Sequence, residues 1–74
     1  MPLVFRMPDP DELYAKICGM LGIGEKLLTK VLFSRWCRDV ERCNYEQLLA
    51  ALDVLADRGL IEMIEAKNNV RRLA

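Results

Sequence analysis

Apolar residues recur with helical spacing in the third quarter of the chain. Leu48, Leu52 and Leu55 fall on one side of an α-helix, because side chains three or four residues apart share a face. Asn44 precedes this stripe and is a good N-cap, and Gln47 follows at the spacing of a capping box. The pattern therefore predicts an amphipathic helix that begins after Asn44.

A glycine stop and a β-hairpin are predicted to follow this helix. Gly59 stands where a left-handed residue commonly ends a helix. Residues 60–66 are rich in Ile, Leu and Met, and the pair Asn68-Asn69 suits a two-residue turn, since Asn tolerates a positive φ. With that turn, Ile64 is expected to lie opposite Leu73 in a C-terminal hairpin.

The rest of the chain predicts supporting helices. Residues 9–22 begin with Asp9 as N-cap and a proline at the first helical position, followed by two acidic residues in the first turn. Residues 25–36 carry a second apolar stripe at helical spacing, and residues 39–42 allow one short helical turn. Residues 1–8 place apolar side chains between prolines and predict either an extended N-terminal arm or a disordered terminus.

Composition restricts the class of protein. A chain of 74 residues makes one domain, and its 53% hydrophobic content favours a compact core over disorder. The 11 basic and 11 acidic residues balance, so no net charge attracts the chain to nucleic acid or to a membrane. No apolar run approaches the roughly 18 residues of a membrane span. Three cysteines without CxxC spacing favour reduced thiols in the cytoplasm.

The predicted order of helix, short helix, helix and two-stranded ribbon resembles that of winged helix-turn-helix proteins. The stretch LLAALDVLADRGLIE looks like the third helix and first wing strand of that superfamily. Its matching positions are Leu52, Leu55, Gly59, Leu60 and Ile61. The resemblance covers residues 25–74 and implies an α+β fold in which three to four helices precede a two-stranded wing. Residues 9–74 would then form one winged-helix domain, with residues 9–22 as an added N-terminal helix.

The resemblance implies a non-enzymatic, regulatory DNA-binding role. In DNA-binding winged helices the third helix enters the major groove and the wing follows the backbone. Asn and Gln can read adenine, and Arg and Lys can neutralise phosphate. The matching positions are Asn44, Gln47 and Ala50 at the groove, with Arg38, Arg42, Lys67, Arg71 and Arg72 on the phosphates.

The distribution of charge leaves a second function open. Residues 26–44 have five basic and two acidic residues, residues 45–65 have one and five, and residues 66–74 have three and none. The helix expected to read DNA is therefore the acidic segment. The alternative is a protein–protein interaction module, either an adaptor or a subunit of a larger complex. Its interface would comprise Glu46, Ala50, Asp53, Val54 and Asp57, with Ala51 also expected to be exposed. A homodimer through the N-terminal arm or the first helix is a further expectation.

Enzyme chemistry and metal binding find little support in the residue types. The chain has no histidine, and Ser34 is its only serine, without a partner pattern for nucleophilic catalysis. Cys18, Cys37 and Cys43 are one thiol short of a full zinc or iron–sulfur set, and free cysteines are commonly buried as small apolar residues. Trp36 is expected to fill the core. We therefore expect no catalytic residues, no metal and no cofactor.

Overall fold

The fold is α+β, with helices packed on one side of a small antiparallel sheet. A computed structural model describes residues 7–39 and 44–74 of the protein. The elements of this described part are α1 (Pro10–Met20), β1 (Lys26–Leu28), α2 (Thr29–Asp39), α3 (Tyr45–Asp57), β2 (Ile61–Ile64) and β3 (Asn69–Arg72). The three strands pair in the order β1-β3-β2, so the last strand of the chain lies in the middle of the sheet.

The first helix forms at the predicted position. Asp9 caps α1 by accepting a hydrogen bond from the backbone N–H of Asp11 at 2.9 Å, and Pro10 occupies the first turn, where its missing N–H has no cost. At the other end the Leu21 N–H donates to the Ile17 oxygen at 2.8 Å. Leu13 and Ile17 are fully buried, so α1 contributes directly to the common core.

The prediction of one helix over residues 25–36 is wrong at its start. Lys26–Leu28 is a strand that pairs with β3, and the helix begins at Thr29 and continues to Asp39. Leu27 is half-buried and Leu28 exposed, which is the two-residue alternation of a strand rather than a helical stripe. The sheet consequently has three strands where the sequence predicted two. Of the predicted short helical turn, residues 40–42 lie outside the described part.

The capping box and the glycine stop of α3 are confirmed. The Asn44 side chain accepts from the Gln47 N–H at 2.8 Å, and the Gln47 side chain accepts from the Asn44 N–H at 3.4 Å. Gly59 has φ +76°, which directs the chain from α3 into β2. Ala51 was expected to be exposed but is fully buried, because it faces the core beside Leu52.

The hairpin forms with a different turn and register from those predicted. Ile64 lies opposite Asn69 rather than Leu73, and residues 65–68 make the turn. Glu65, Ala66 and Lys67 all have positive φ, between 54° and 66°, which no sequence rule predicts for these residue types.

The observed register has a clear packing reason. It places Met63 of β2 and Leu27 of β1 on either side of Val70, and the Val70 side chain is fully buried. These three apolar side chains form one row across the sheet that faces the helices. The remaining core comes from all three helices and β2: Leu13, Ile17, Leu21, Leu32, Trp36, Leu48, Ala51, Leu52, Leu55 and Ile61.

Leu52→Ala is expected to lower the free energy of unfolding by about 2–5 kcal/mol, because Leu52 is fully buried and its truncation leaves a cavity. Urea denaturation followed by circular dichroism measures the change. An unchanged midpoint would contradict the burial of this helix face.

Gly59→Ala is expected to lower the free energy of unfolding by about 1 kcal/mol, because an alanine is strained at φ +76° although no atom lies within 4 Å of its Cβ. Gly19 of α1 is the matched control. Its Cβ would also meet nothing within 4 Å, and it lies in a helix, where alanine is favoured by about 0.5–1 kcal/mol. Denaturation curves should therefore move in opposite directions for the two variants. A shift of the same sign would contradict the left-handed end of α3.

Candidate functional site

The solvent side of α3 is acidic. Glu46, Ala50 and Asp57 are exposed, and Asp53 and Val54 are half-buried beside them. We call these five residues the acidic α3 face. Their positions follow from the helix itself, because Leu48, Leu52 and Leu55 take the opposite side into the core. The structure thus brings together all five residues predicted for a protein interface.

The two amide side chains expected to read DNA take part in the capping box. The Asn44 oxygen accepts from the Gln47 backbone, and the Gln47 oxygen accepts from the Asn44 backbone. A bidentate contact to adenine needs the same amide oxygen as acceptor, together with the amide NH₂ as donor. Base reading by Asn44 or Gln47 would therefore compete with the cap that starts α3.

Lys67, expected on phosphate, forms an ion pair with the acidic α3 face. Its Nζ lies 3.1 Å from Oδ2 of Asp53, and both side chains are about half exposed. The pair joins the turn between β2 and β3 to the middle of α3. In this arrangement the positive charge of the turn is matched by a carboxylate of the protein itself.

Arg72, also expected on phosphate, has a structural position. Its guanidinium donates to the Leu21 oxygen at 2.9 Å and to the Ala74 oxygen at 2.8 Å. The Tyr14 hydroxyl donates to the same Ala74 oxygen. The side-chain hydrogen bond with Cys18 raises the pKa of Tyr14, with burial acting in the same direction. These contacts join the end of α1 to the end of β3 and give Arg72 a place in the fold. Contact of Arg72 with phosphate stays a prediction.

Of the other basic residues assigned to phosphate, the structure describes Arg38 and Arg71. Arg71 points to the outer face of the sheet between Lys26 and Glu62, and its Nε is buried without a hydrogen-bond partner in the described part. Arg38 is exposed near the end of α2 and has an interaction of its own. Arg42 lies outside the described residues. Of the predicted phosphate contacts, Lys67 touches the acidic α3 face, whereas Arg71 lies on the outer face of the sheet.

A shallow cleft of about 430 Å³ opens beside the hairpin turn, on the outer face of the sheet. Its lining consists of Leu28, Lys30, Glu65, Asn68 and Asn69. Sequence reasoning missed this feature because it depends on β1, which was assigned to a helix. The Asn69 side chain is almost fully buried there and donates to the Glu65 carboxylate at 2.6 Å.

The described residues show no group of three or more Cys, Asp or Glu side chains placed to hold a metal ion. Cys18 and Cys37 are half-buried and form no disulfide, and Cys43 lies outside the described residues. Of the expected homodimer contacts, residues 1–6 are likewise outside that part, and Met7 is half exposed at the start of α1. A homodimer stays a prediction.

Comparison of the chain with models of protein families, with curated proteins and with solved structures finds no significant match. None of the helices in residues 7–39 and 44–74 combines the length and the apolar character that crossing a bilayer requires.

Arg72→Ala is expected to lower the free energy of unfolding by about 1.5–3 kcal/mol, because the change removes two hydrogen bonds from a charged, half-buried donor. Arg35→Ala is the control at an exposed position of α2, where the change should stay within about 0.5 kcal/mol. Chemical denaturation of both variants tests the assignment. If the two variants have equal stability, Arg72 has no structural role.

Proposed function

We propose that the protein is a winged-helix protein–protein interaction module whose docking surface is the acidic α3 face. The fold part of this proposal rests on the order of the elements. Two helices, α2 and α3, are followed at Gly59 by the β2–β3 hairpin, which is the arrangement that the winged-helix resemblance implies. In that interpretation α3 corresponds to the third helix and residues 65–68 to the tip of the wing.

The observation that carries the functional part is the sign of the charge on α3. The exposed helix face carries three carboxylates, while Arg58 at its end is already within 3.1 Å of Asp11 on α1. A surface that enters the major groove must approach phosphates on both sides, and carboxylates there would be repelled. The same carboxylates favour a protein partner with positive potential, since complementary charge steers and orients association.

The side chains expected to contact DNA already make contacts within the fold, and this also favours a protein partner. Asn44 and Gln47 cap α3, Lys67 is paired with Asp53, and Arg72 joins α1 to the C-terminal strand. DNA binding through these side chains would require the fold to lose their present contacts. Protein binding through the acidic α3 face leaves the capping box and the Arg72 contacts in place, because Ala50, Glu46 and Asp57 are already exposed.

Site-specific photocrosslinking tests this proposal. A photoreactive amino acid replaces Ala50, at the centre of the acidic α3 face, or Ala15, which is an exposed alanine on α1. In native cells we expect protein adducts from position 50 that survive nuclease treatment, and fewer from position 15. Glu46→Lys should reduce the adducts from position 50 at least several-fold. Because Glu46 is exposed, the circular dichroism spectrum should not change.

DNA binding is the outcome that would overturn the proposal. A mixed-sequence duplex of 20 base pairs serves as the probe, and the binding constant is followed from low to physiological salt. If Arg38, Arg42, Lys67, Arg71 and Arg72 all contact phosphate, the logarithm of the binding constant falls with log salt at a slope of about −4 to −5. We expect no such binding. A slope of that size, together with nuclease-sensitive adducts at position 50, would establish DNA as the partner.

A further inference from the structure

We propose that the β2–β3 turn is an autoinhibitory latch, in which Lys67 occupies Asp53 and has to leave before a partner can use that carboxylate. This inference rests on the acidic α3 face being the docking surface, and it adds regulation of that surface by the protein's own hairpin. The latch comprises residues 65–68, and its contact point on α3 is Asp53.

The contact lies at the centre of the acidic α3 face. Along the helix Asp53 is seven residues from Glu46 and four from Asp57, so Lys67 pairs with the middle one of the three carboxylates. A lysine at this place does what a cationic group of a partner would do there. It neutralises the central carboxylate.

The backbone of the turn is under local strain. Glu65, Ala66 and Lys67 are three consecutive non-glycine residues in the left-handed region, where the β-carbon of an L-residue crowds the following carbonyl oxygen. Such a conformation persists only when surrounding contacts hold it. The strain therefore favours a more open turn as soon as those contacts weaken.

A small set of contacts holds the turn closed. The Thr29 hydroxyl donates to the Lys67 oxygen at 2.8 Å, and the Thr29 N–H donates to the Asn68 oxygen at 2.8 Å. On the α3 side the Lys67–Asp53 pair holds the tip, and it is half exposed to solvent. An exposed ion pair is weak and exchangeable. When a cation of the partner replaces the Lys67 ammonium, Asp53 stays paired. Lys67 is then released from α3, and no carboxylate is left without a counter-charge.

The latch predicts that removal of Lys67 strengthens binding of a cation to α3. The probe is a fluorescein-labelled octalysine peptide, and its affinity is measured by fluorescence anisotropy at low salt. Lys67→Gln should bind it about two- to fivefold more tightly than Lys30→Gln does, the factor that corresponds to the loss of one exposed ion pair. Lys30 is the matched control, because it is an exposed lysine on α2 and its removal changes the net charge equally.

A second measurement needs no ligand. The Asn68 N–H donates to the Glu65 oxygen at 3.0 Å, so its hydrogen exchange reports opening of the turn. Asp53→Asn should raise that exchange rate several-fold, and Asp57→Asn, the same change one helical turn away, should not. The latch would be overturned by equal hydrogen exchange in these two variants. It would also be overturned by equal peptide affinity in the two lysine variants, or by no peptide binding in any variant. The photocrosslinking at Ala50 decides the docking surface independently of these outcomes.

Discussion

The pairing of β3 between β1 and β2 is the constraint on which the rest of the structure depends. Residues 69–71 lie opposite residues 26–28 on one side and opposite residues 62–64 on the other, so one strand joins the two halves of the chain. The ladder extends past β1, since the Gly24 N–H donates to the Arg72 oxygen at 2.7 Å and the Arg72 N–H donates to the Glu25 oxygen at 2.9 Å. Closing a loop of more than 40 residues costs conformational entropy. Burial of Val70 and of the leucine side of α3 against the same sheet offsets that cost, and it fixes where α1 and α2 lie.

Local rules were sufficient where the decisive interactions are local. The start of α1 at Asp9, the capping box of α3 and the left-handed Gly59 all depend on neighbours within a few residues, and all three were predicted. β1 was missed because its strand conformation is set by β3, more than 40 residues later, while its two leucines also suit a helical stripe. The prediction of the hairpin register was wrong for a similar reason. A two-residue turn at Asn68 is locally reasonable, but Val70 reaches the core between its neighbouring strands only with the longer turn.

The candidate site shows the same division between local and distant causes. The acidic α3 face could be predicted, because helical periodicity alone separates Glu46, Asp53 and Asp57 from the buried leucines. The roles of Lys67 and Arg72 could not. Both were assigned to phosphate from their charge, yet one meets Asp53 on α3 and the other reaches the Leu21 oxygen at the end of α1. A sequence shows that a basic residue is present, and only the tertiary structure shows whether its charge is already paired.

The spacing of the carboxylates explains why the sign of the charge on α3, and not the shape of the fold, distinguishes protein binding from DNA binding. With a rise of about 1.5 Å per residue, Glu46 lies about 10 Å and Asp57 about 6 Å from Asp53 along the helix axis. Both distances are close to or below the Debye length of about 8–10 Å at physiological salt, so an approaching charge meets the three carboxylates together. Lys67 already pairs with Asp53. A phosphate backbone brings many negative charges to the same place and would be repelled by Glu46 and Asp57, whereas a cationic protein segment would be attracted by them. The buried leucines and Val70, which build the core, do not face this surface, so the same scaffold can carry either sign. The proposal of a protein partner therefore rests on the few side chains that the core leaves in solvent.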